Sequence, residues 1–217
     1  MILKRKLLKK SRLYVILDKQ IAANRPIPKI AKQIKNSGAD IIQLRDKVSK
    51  KEDILRECFI LRKLLLNSNA LFIVNDYLDI AKIVDSDGIH IGQEDLSIEL
   101  ARKILGKDKI IGISCHSLKQ AREAKIRGAD YISIGPIFPT PVKPKYKPLG
   151  TSLIKKIKKE IKIPFFAIGH INQSNIDSVI ASGAKRVAIC RAIIEAKSIT
   201  ATVKTFKQKI LGVGDLE

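Results

Sequence analysis

The sequence has no tryptophan and one methionine, and aromatic residues make up only 5% of its 217 residues. Its three cysteines, Cys58, Cys115 and Cys190, are odd in number and show no CxxC spacing. This pattern argues against a disulfide framework and is typical of a reducing compartment. No apolar run approaches the length of a membrane span, and the basic N-terminus lacks an apolar core of signal-peptide length. We therefore expect a cytoplasmic protein without a membrane segment.

Acidic residues are also scarce, since 42 Lys and Arg face 21 Asp and Glu, a net charge of +21. Such a surplus attracts polyanions, which include nucleic acid, anionic membrane surfaces and phosphorylated metabolites. The aromatic residues are not interleaved with the basic runs, and KKIKKEIK at 155–162 has the isoleucine spacing of a solvated amphipathic helix. A solvated helix face is therefore favoured over a nucleic-acid patch, while charge alone does not choose among these partners and the sequence leaves a homo-oligomer open.

Short apolar segments alternate with longer helix-like segments along the chain. The predicted strands cover 13–17, 41–44, 71–74, 88–92, 110–114, 131–135, 165–169 and 187–190. The predicted helices cover 27–36, 50–66, 77–84, 98–105, 118–126, 152–160, 175–181 and 199–209. Eight such alternations predict an α/β fold with one domain, a (β/α)₈ TIM barrel. We assign the barrel to 13–210, a basic N-terminal extension to 1–12 and a C-terminal tail to 211–217.

A short Gly-containing repeat precedes each even-numbered strand. It reads SGAD at 37–40, DSDG at 85–88, RGAD at 127–130 and SGAK at 182–185. Each glycine can end a helix in the left-handed conformation and return the chain to the lower face of the barrel. We interpret these glycines as structural.

Two aspartates lie where consecutive predicted strands end. Asp76 follows the third strand and Asp95 follows the fourth. If these strands are parallel neighbours, both carboxylates open on the same edge of the sheet, as Mg²⁺ ligands require. The alternative is that each aspartate caps the helix that follows it.

Cationic and polar residues follow the other strands. Gln43, Arg45 and Lys47 alternate, so they can share one face and present two positive charges to a diphosphate, unless the two cations pair with nearby acids. The loop GPIFPTPVK at 135–143 carries three prolines and looks pre-shaped, which also fits a merely rigid loop.

The loops after strands 7 and 8 form the usual phosphate cup of such barrels. Here they are Gly169-His170 and Cys190-Arg191. Backbone amides there can hold a phosphate whatever the side chains are. His170 is also compatible with a surface histidine, and Cys190 with a small buried apolar residue.

Six blocks of sequence together resemble the thiamine phosphate synthase family over about residues 13–194. They are QLRDK at 43–47, FIVNDYLDIA at 72–81, DGIHIGQEDL at 87–96, GISCHS at 112–117, GADYISIGPIFPTPVK at 128–143 and AIG at 167–169. The resemblance implies a (β/α)₈ barrel that joins hydroxymethylpyrimidine diphosphate to thiazole phosphate, releases pyrophosphate and needs Mg²⁺. It also implies a dissociative substitution, which requires charge stabilisation on the leaving group more than a strong base.

The resemblance assigns roles to particular positions. The residues implied to contact the pyrimidine diphosphate are Gln43, Arg45, Lys47, Asn75, Ser114 and Lys143. Those implied to act in catalysis are Arg45, Lys47, Ser114 and Lys143. Asp76 and Asp95 are the implied Mg²⁺ ligands. The thiazole phosphate is implied to lie at Thr140, with Val142, Gly169, His170, Cys190 and Arg191 as the neighbouring positions of its cup.

Three positions depart from the family pattern, all on the thiazole phosphate side. Val142 replaces a threonine, His170 replaces a glycine and Arg191 replaces a serine. Arg191 can substitute for lost hydrogen bonds with a charge-assisted pair to phosphate, or it can fill the cup. One alternative function is that of a thiazole tautomerase-like barrel, which would not need all these blocks together. Another is that of a non-catalytic basic protein that binds a ligand or nucleic acid.

Overall fold

Eight parallel strands close into a barrel in sequential order, β1 to β8, in the computed structural model, which describes residues 2–140, 147–212 and 214. The strands are β1 Leu13–Asp18, β2 Ile41–Arg45, β3 Leu71–Asn75, β4 Gly88–Ile91, β5 Ile110–Cys115, β6 Tyr131–Ile134, β7 Phe165–Ile168 and β8 Val187–Ile189. β1 pairs with both β2 and β8, which closes the sheet. The predicted TIM barrel is confirmed, and each predicted strand agrees with an observed one to within one residue at either end.

Helices follow the strands on the outside of the barrel. They are α1 Ile2–Lys10, α2 Lys19–Ala22, α3 Ile27–Asn36, α4 Lys51–Leu65, α5 Leu78–Ile83, α6 Ile98–Leu105, α7 Leu118–Ile126, α8 Ser152–Glu160, α9 Ile176–Ala181, α10 Arg191–Ile194 and α11 Ile199–Leu211. The eight predicted helices correspond to α3 to α9 and α11. The sequence did not predict α1 or the two four-residue helices, α2 and α10. Within the described residues, no helix is long and apolar enough to cross a membrane.

The strands are buried on both faces, which explains why they read as continuous apolar runs. Their outward side chains pack against the helices in one large core. The inward side chains form a second, smaller core in the lumen, which includes Tyr14, Tyr131 and Phe166. Leu8 of α1 joins that inner core from below, so the N-terminal helix closes the lower end of the barrel. The upper end is left to the loops that follow the strands.

The repeat before the even-numbered strands has a structural role that its glycines alone did not indicate. In three of the four copies an aspartate accepts a hydrogen bond from the backbone N–H of a residue in an odd-numbered strand. These bonds join Leu13 to Asp40, Phe72 to Asp87 and Ile111 to Asp130, each with an N···O distance of 2.9 Å. Each carboxylate also pairs with a cation, as Asp130 does with Arg5 at 3.1 Å. The lower face of the barrel is thus linked by charge-assisted hydrogen bonds between strands.

Replacing Asp130 with alanine tests this link. We expect Asp130→Ala to lower the free energy of unfolding by about 1–3 kcal/mol, because the buried N–H of Ile111 loses its carboxylate acceptor. Urea denaturation measures the change. Asp53→Ala is the matched control, since Asp53 forms an exposed pair with Arg56 and its loss should cost under about 0.5 kcal/mol. Equal losses in the two variants would contradict a structural role for the repeat.

Candidate active site

Two adjoining cavities open at the upper rim, the edge of the barrel where the strands end. The larger, which we call the lumen cavity, has a volume of about 340 Å³ and reaches down to Ile16 and Ala188. The smaller, which we call the rim cavity, has a volume of about 200 Å³. The residues that line both are Arg45, Asn75, Ser114 and His116. Two compartments with a common wall suit a site that brings two ligands together.

The rim cavity contains the two predicted metal-ligating aspartates. Asp76 forms an ion pair with Lys47, and Asp95 accepts a 2.6 Å hydrogen bond from the backbone N–H of Gly92. Burial raises the pKa of Asp76, and the neighbouring carboxylate of Asp95 raises it further, against the opposing effect of Lys47. The two carboxylates therefore lie close together, with one ammonium group beside them.

Neither aspartate caps a helix. α5 begins after Tyr77 with no side-chain cap, and α6 is capped by Ser97, whose hydroxyl accepts from Leu100 N–H at 3.2 Å. Asp76 instead adopts a left-handed backbone conformation, with φ = 61°. Non-glycine residues rarely adopt this conformation, and such residues cluster at functional sites. The geometry thus excludes the capping alternative, and both aspartates line the rim cavity.

The two predicted diphosphate-binding cations both pair with acids, as the alternative interpretation held. Arg45 pairs with Asp18, and Lys47 pairs with Asp76. Asp18 is buried and also caps α2 by accepting from Ile21 N–H at 3.1 Å. Pairing does not remove the cations from the site, since Arg45 lines both cavities and Lys47 lines the rim cavity. The ion pairs hold the cations in place along the common wall.

Gln43 lies deeper, on the wall of the lumen cavity. It is 2% exposed, and its Oε1 atom has no hydrogen-bond partner in the described part of the chain. A buried acceptor left unsatisfied costs free energy and calls for an explanation. The Gln43 side chain lines the lumen cavity, so a hydrogen-bond donor on a ligand there would satisfy this oxygen.

The predicted phosphate cup lies on the opposite side of the lumen cavity. The predicted residues that line it are Thr140, Gly169, His170, Cys190 and Arg191. Gly169 has φ = 112°, and a Cβ atom there would come within 2.5 Å of Pro136 Cα, so the loop after β6 can pack on it only because it is glycine. Burial raises the pKa of the Cys190 thiol to about 12, which keeps it protonated and supports its interpretation as a small apolar residue.

Two of the predicted departures from the family pattern are visible in this cup. His170 has φ = 52°, a conformation that histidine tolerates better than most residues. Arg191 is the first residue of α10 and pairs with Glu195 one turn later. Its Nε atom is buried without a hydrogen-bond partner among the described residues. The third departure, Val142, and the predicted diphosphate contact Lys143 lie outside the described residues.

Sequence reasoning missed several polar residues of these cavities. It placed Asp18 and His116 at strand ends on the upper rim without giving them a role, it did not identify Glu195, and it found no partner for His90. His90 in fact points into the lumen, where its ring lies 2.9 Å from the hydroxyl of Tyr131. The period-two alternation of β4 and β6 was the available signal, because it turns His90 and Tyr131 to the same side of the sheet as Gln43.

The fold and its polar upper rim are those of a TIM-barrel enzyme. The family model described as thiamine monophosphate synthase matches residues 13–193. Among similar proteins, thiamine-phosphate synthases from Lawsonia intracellularis and Halalkalibacterium halodurans are each 42% identical, over 92% and 90% of this chain and 92% and 93% of theirs. A thiamine phosphate pyrophosphorylase from Pyrococcus furiosus superposes with a TM-score of 0.87 at 32% identity, over 97% of this chain and 100% of that one. The chain belongs to the thiamine monophosphate synthase family.

The raised pKa of Asp76 predicts the effect of its neutral isostere on stability. A carboxyl group whose pKa is higher in the folded protein than in the unfolded chain is destabilising when it is ionised. We therefore expect Asp76→Asn to raise the melting temperature at neutral pH. The gain should disappear as the pH falls below both pKa values, where the wild-type group is protonated in either state.

Asp79→Asn is the control of opposite sign. At Asp79 burial is the largest single effect and raises the pKa, but the hydrogen bonds from Lys51 and from the backbone N–H of Ile80, together with the charge of Lys51, outweigh it and lower the pKa. The ionised group therefore stabilises the fold above its unfolded pKa. Thermal unfolding at several pH values measures both variants. A loss of stability in Asp76→Asn at neutral pH would restore a structural role for Asp76.

Proposed function

We propose that the chain synthesises thiamine phosphate from hydroxymethylpyrimidine diphosphate and thiazole phosphate, with release of pyrophosphate. The observation that carries this proposal is the pair of cavities with a common wall. The rim cavity combines two carboxylates with cations, as a metal-bound diphosphate requires. The lumen cavity offers an apolar interior, one unsatisfied amide oxygen and a second polar cup. Membership of the family supports the same reaction.

We assign the diphosphate and a Mg²⁺ ion to the rim cavity. Asp76 and Asp95 supply hard oxygen donors, and the ion pair of Asp76 with the ammonium of Lys47 supports the assignment because this carboxylate already faces a positive charge. Within the described residues no three His, Cys, Asp or Glu side chains converge on a metal position, which suits an ion that takes one or two carboxylates and completes its shell with phosphate and water. When bound, Mg²⁺ would neutralise charge that develops on the leaving pyrophosphate.

The pyrimidine ring belongs in the lumen cavity next to the common wall. Gln43 Oε1 can accept a hydrogen bond from the exocyclic amine of the pyrimidine, which would satisfy this buried atom. Asn75 and Ser114 line both cavities, so they can contact the ring and the diphosphate together. Lys143 remains a proposed diphosphate contact on the strength of the resemblance.

The thiazole phosphate belongs on the far side of the lumen cavity, at Thr140, Gly169, His170, Cys190 and Arg191. The guanidinium of Arg191 supplies the positive charge of this cup, and its unpartnered Nε–H is a donor for a phosphate oxygen. Glu195 pairs with the guanidinium of Arg191, and both side chains line the lumen cavity. Val142 remains a proposed member of the cup.

With the two substrates placed in this way, the reaction proceeds in two steps. The bond between the pyrimidinylmethyl carbon and the diphosphate oxygen breaks, and its electron pair leaves with pyrophosphate. The thiazole nitrogen then donates its lone pair to the resulting cation and forms the new carbon–nitrogen bond. No proton moves in either step. Arg45, Lys47, Ser114 and Lys143 act by stabilising negative charge on the leaving group, which is the main demand of a dissociative transition state.

The direct test mixes the protein with the two substrates, with and without Mg²⁺, and measures pyrophosphate release and the mass of the coupled product. We expect Mg²⁺-dependent formation of thiamine phosphate in equal amount to pyrophosphate. Asp76→Asn should lower the rate at least a hundredfold while the protein stays folded. Binding of the pyrimidine diphosphate without coupling would contradict the proposal and point to another acceptor in the lumen cavity.

Arg191 provides a selective test of the second cup. We expect Arg191→Ala to raise the KM for thiazole phosphate about tenfold or more, because a charged hydrogen-bond donor to phosphate is lost, and to leave the KM for the pyrimidine diphosphate unchanged. Steady-state kinetics with each substrate varied in turn measures both constants. Arg56→Ala is the matched control, since Arg56 is an exposed arginine of α4 outside both cavities. An unchanged KM for thiazole phosphate would make Arg191 a bystander.

A further inference from the structure

A chain of hydrogen bonds crosses the barrel lumen beneath the lumen cavity. The hydroxyl of Tyr14 lies 3.0 Å from that of Tyr131, which lies 2.9 Å from Nδ1 of His90. On the other side of the imidazole, Nε2 lies 3.0 Å from the hydroxyl of Ser114. The chain therefore runs from β1 through β6 and β4 to Ser114 on β5, where it meets both cavities.

The lumen is built to hold this chain in one arrangement. Gly112 stands two residues before Ser114 on the same face of β5, and a Cβ atom there would lie only 2.0 Å from the ring of Tyr131. The rings of His90 and Tyr131 stack with centroids 5.5 Å apart, and Phe166 packs edge-on against Tyr131 at 5.6 Å. Tyr131 is fully buried. The aromatic rings therefore have little freedom to change their hydrogen-bond partners.

Tyr14, at one end of this series of hydrogen bonds, determines the direction of the others. The hydroxyl of Tyr14 is buried, and that of Tyr131 is its one hydrogen-bond partner among the described residues. A buried O–H with a single partner is best satisfied as the donor, because an unused donor carries the full desolvation penalty. Tyr131 then accepts from Tyr14 and donates to Nδ1 of His90. A neutral imidazole that accepts at Nδ1 carries its proton on Nε2.

The proton on Nε2 is directed at the hydroxyl oxygen of Ser114. Nε2–H of His90 donates to Oγ of Ser114, and Ser133 lies 3.4 Å from the same oxygen as a second, longer donor. With its oxygen accepting from below, Ser114 has its own O–H left to donate. Because Ser114 lines both cavities, this donor is available to a ligand bound against their common wall.

We propose that Tyr131 and His90 are positioning residues that fix Ser114 as a hydrogen-bond donor to the bound substrate. His90 does so by holding the Nε2–H tautomer, and Tyr131 does so by donating to Nδ1. The substrate atom facing Ser114 is therefore an acceptor, such as a ring nitrogen of the pyrimidine or an oxygen of the diphosphate, and not an amine. This inference rests on the proposed function only for the identity of that substrate.

The first test reads the tautomer of His90 directly, without substrate. The sequence has only three histidines, so nitrogen-15 NMR of the imidazoles is simple, and the signals lost in His90→Gln identify those of His90. In mildly alkaline buffer, where imidazole is neutral, we expect the wild-type spectrum to show the Nε2–H form. Tyr131→Phe should lose this form or mix it with the Nδ1–H form. Tyr14→Phe, which leaves the Tyr131 hydroxyl in place, should keep it.

The second test couples the tautomer to catalysis. We expect Ser114→Ala to lower kcat/KM for the pyrimidine diphosphate about tenfold or more. Tyr131→Phe should also lower it, by the same factor or less. In the double variant the two losses should not multiply, since Tyr131 acts through Ser114. Losses that multiply would make Tyr131 a residue of general structural importance and overturn the inference.

The outcomes separate this inference from the proposed function. If the wild-type protein couples the two substrates but His90 is in the Nδ1–H form or doubly protonated, the inference fails and the proposed function stands. If His90 shows the Nε2–H form and responds to Tyr131→Phe but no coupling occurs, the donor assignment for Ser114 stands and the proposed function fails.

Discussion

Closure of the parallel barrel determines which residues of this chain can meet. Because every strand runs in the same direction, the carboxyl ends of β1 to β8 meet at one rim. Asp76 and Asp95 follow β3 and β4, so they meet there although they lie nineteen positions apart in the chain, and Arg191 reaches the same rim from β8. At the lower rim, Asp40, Asp87 and Asp130 stabilise the barrel by accepting hydrogen bonds from neighbouring strands. Function and stability are thereby separated between the two ends.

Two cations of the upper rim form ion pairs with neighbouring aspartates. Arg45 is held by Asp18 and Lys47 by Asp76, so the cations are oriented before a ligand arrives. Balance is incomplete at Asp76, where burial and Asp95 raise the pKa in spite of Lys47, and where the backbone is left-handed. Such local cost is common where residues are retained for function, and a divalent cation would relieve the repulsion between the two carboxylates.

The sequence predicted nearly all of the barrel, since strands buried on both faces produce apolar runs that are hard to mistake. It missed α1, because that helix is fixed by the packing of Leu8 into the lumen, a contact between distant parts of the chain. The rim positions were predictable because they follow strand ends. Period-two alternation places His90 and Tyr131 on the same side of the sheet, but it does not predict their contact, because β4 and β6 are not neighbours and only the closed barrel brings the two side chains together. The pair of Arg191 with Glu195 escaped notice because α10 is only one turn long.

If the rim and lumen cavities hold the two halves of the reaction side by side, a crystal structure of the protein with Mg²⁺, pyrophosphate and thiamine phosphate will show it. We expect Mg²⁺ and pyrophosphate between Lys47, Asp76 and Asp95 in the rim cavity. We expect the pyrimidine ring at Gln43 and the thiazole phosphate beside Arg191 in the lumen cavity. Pyrophosphate at Arg191, or both ligands stacked in one cavity with the other left to solvent, would contradict it.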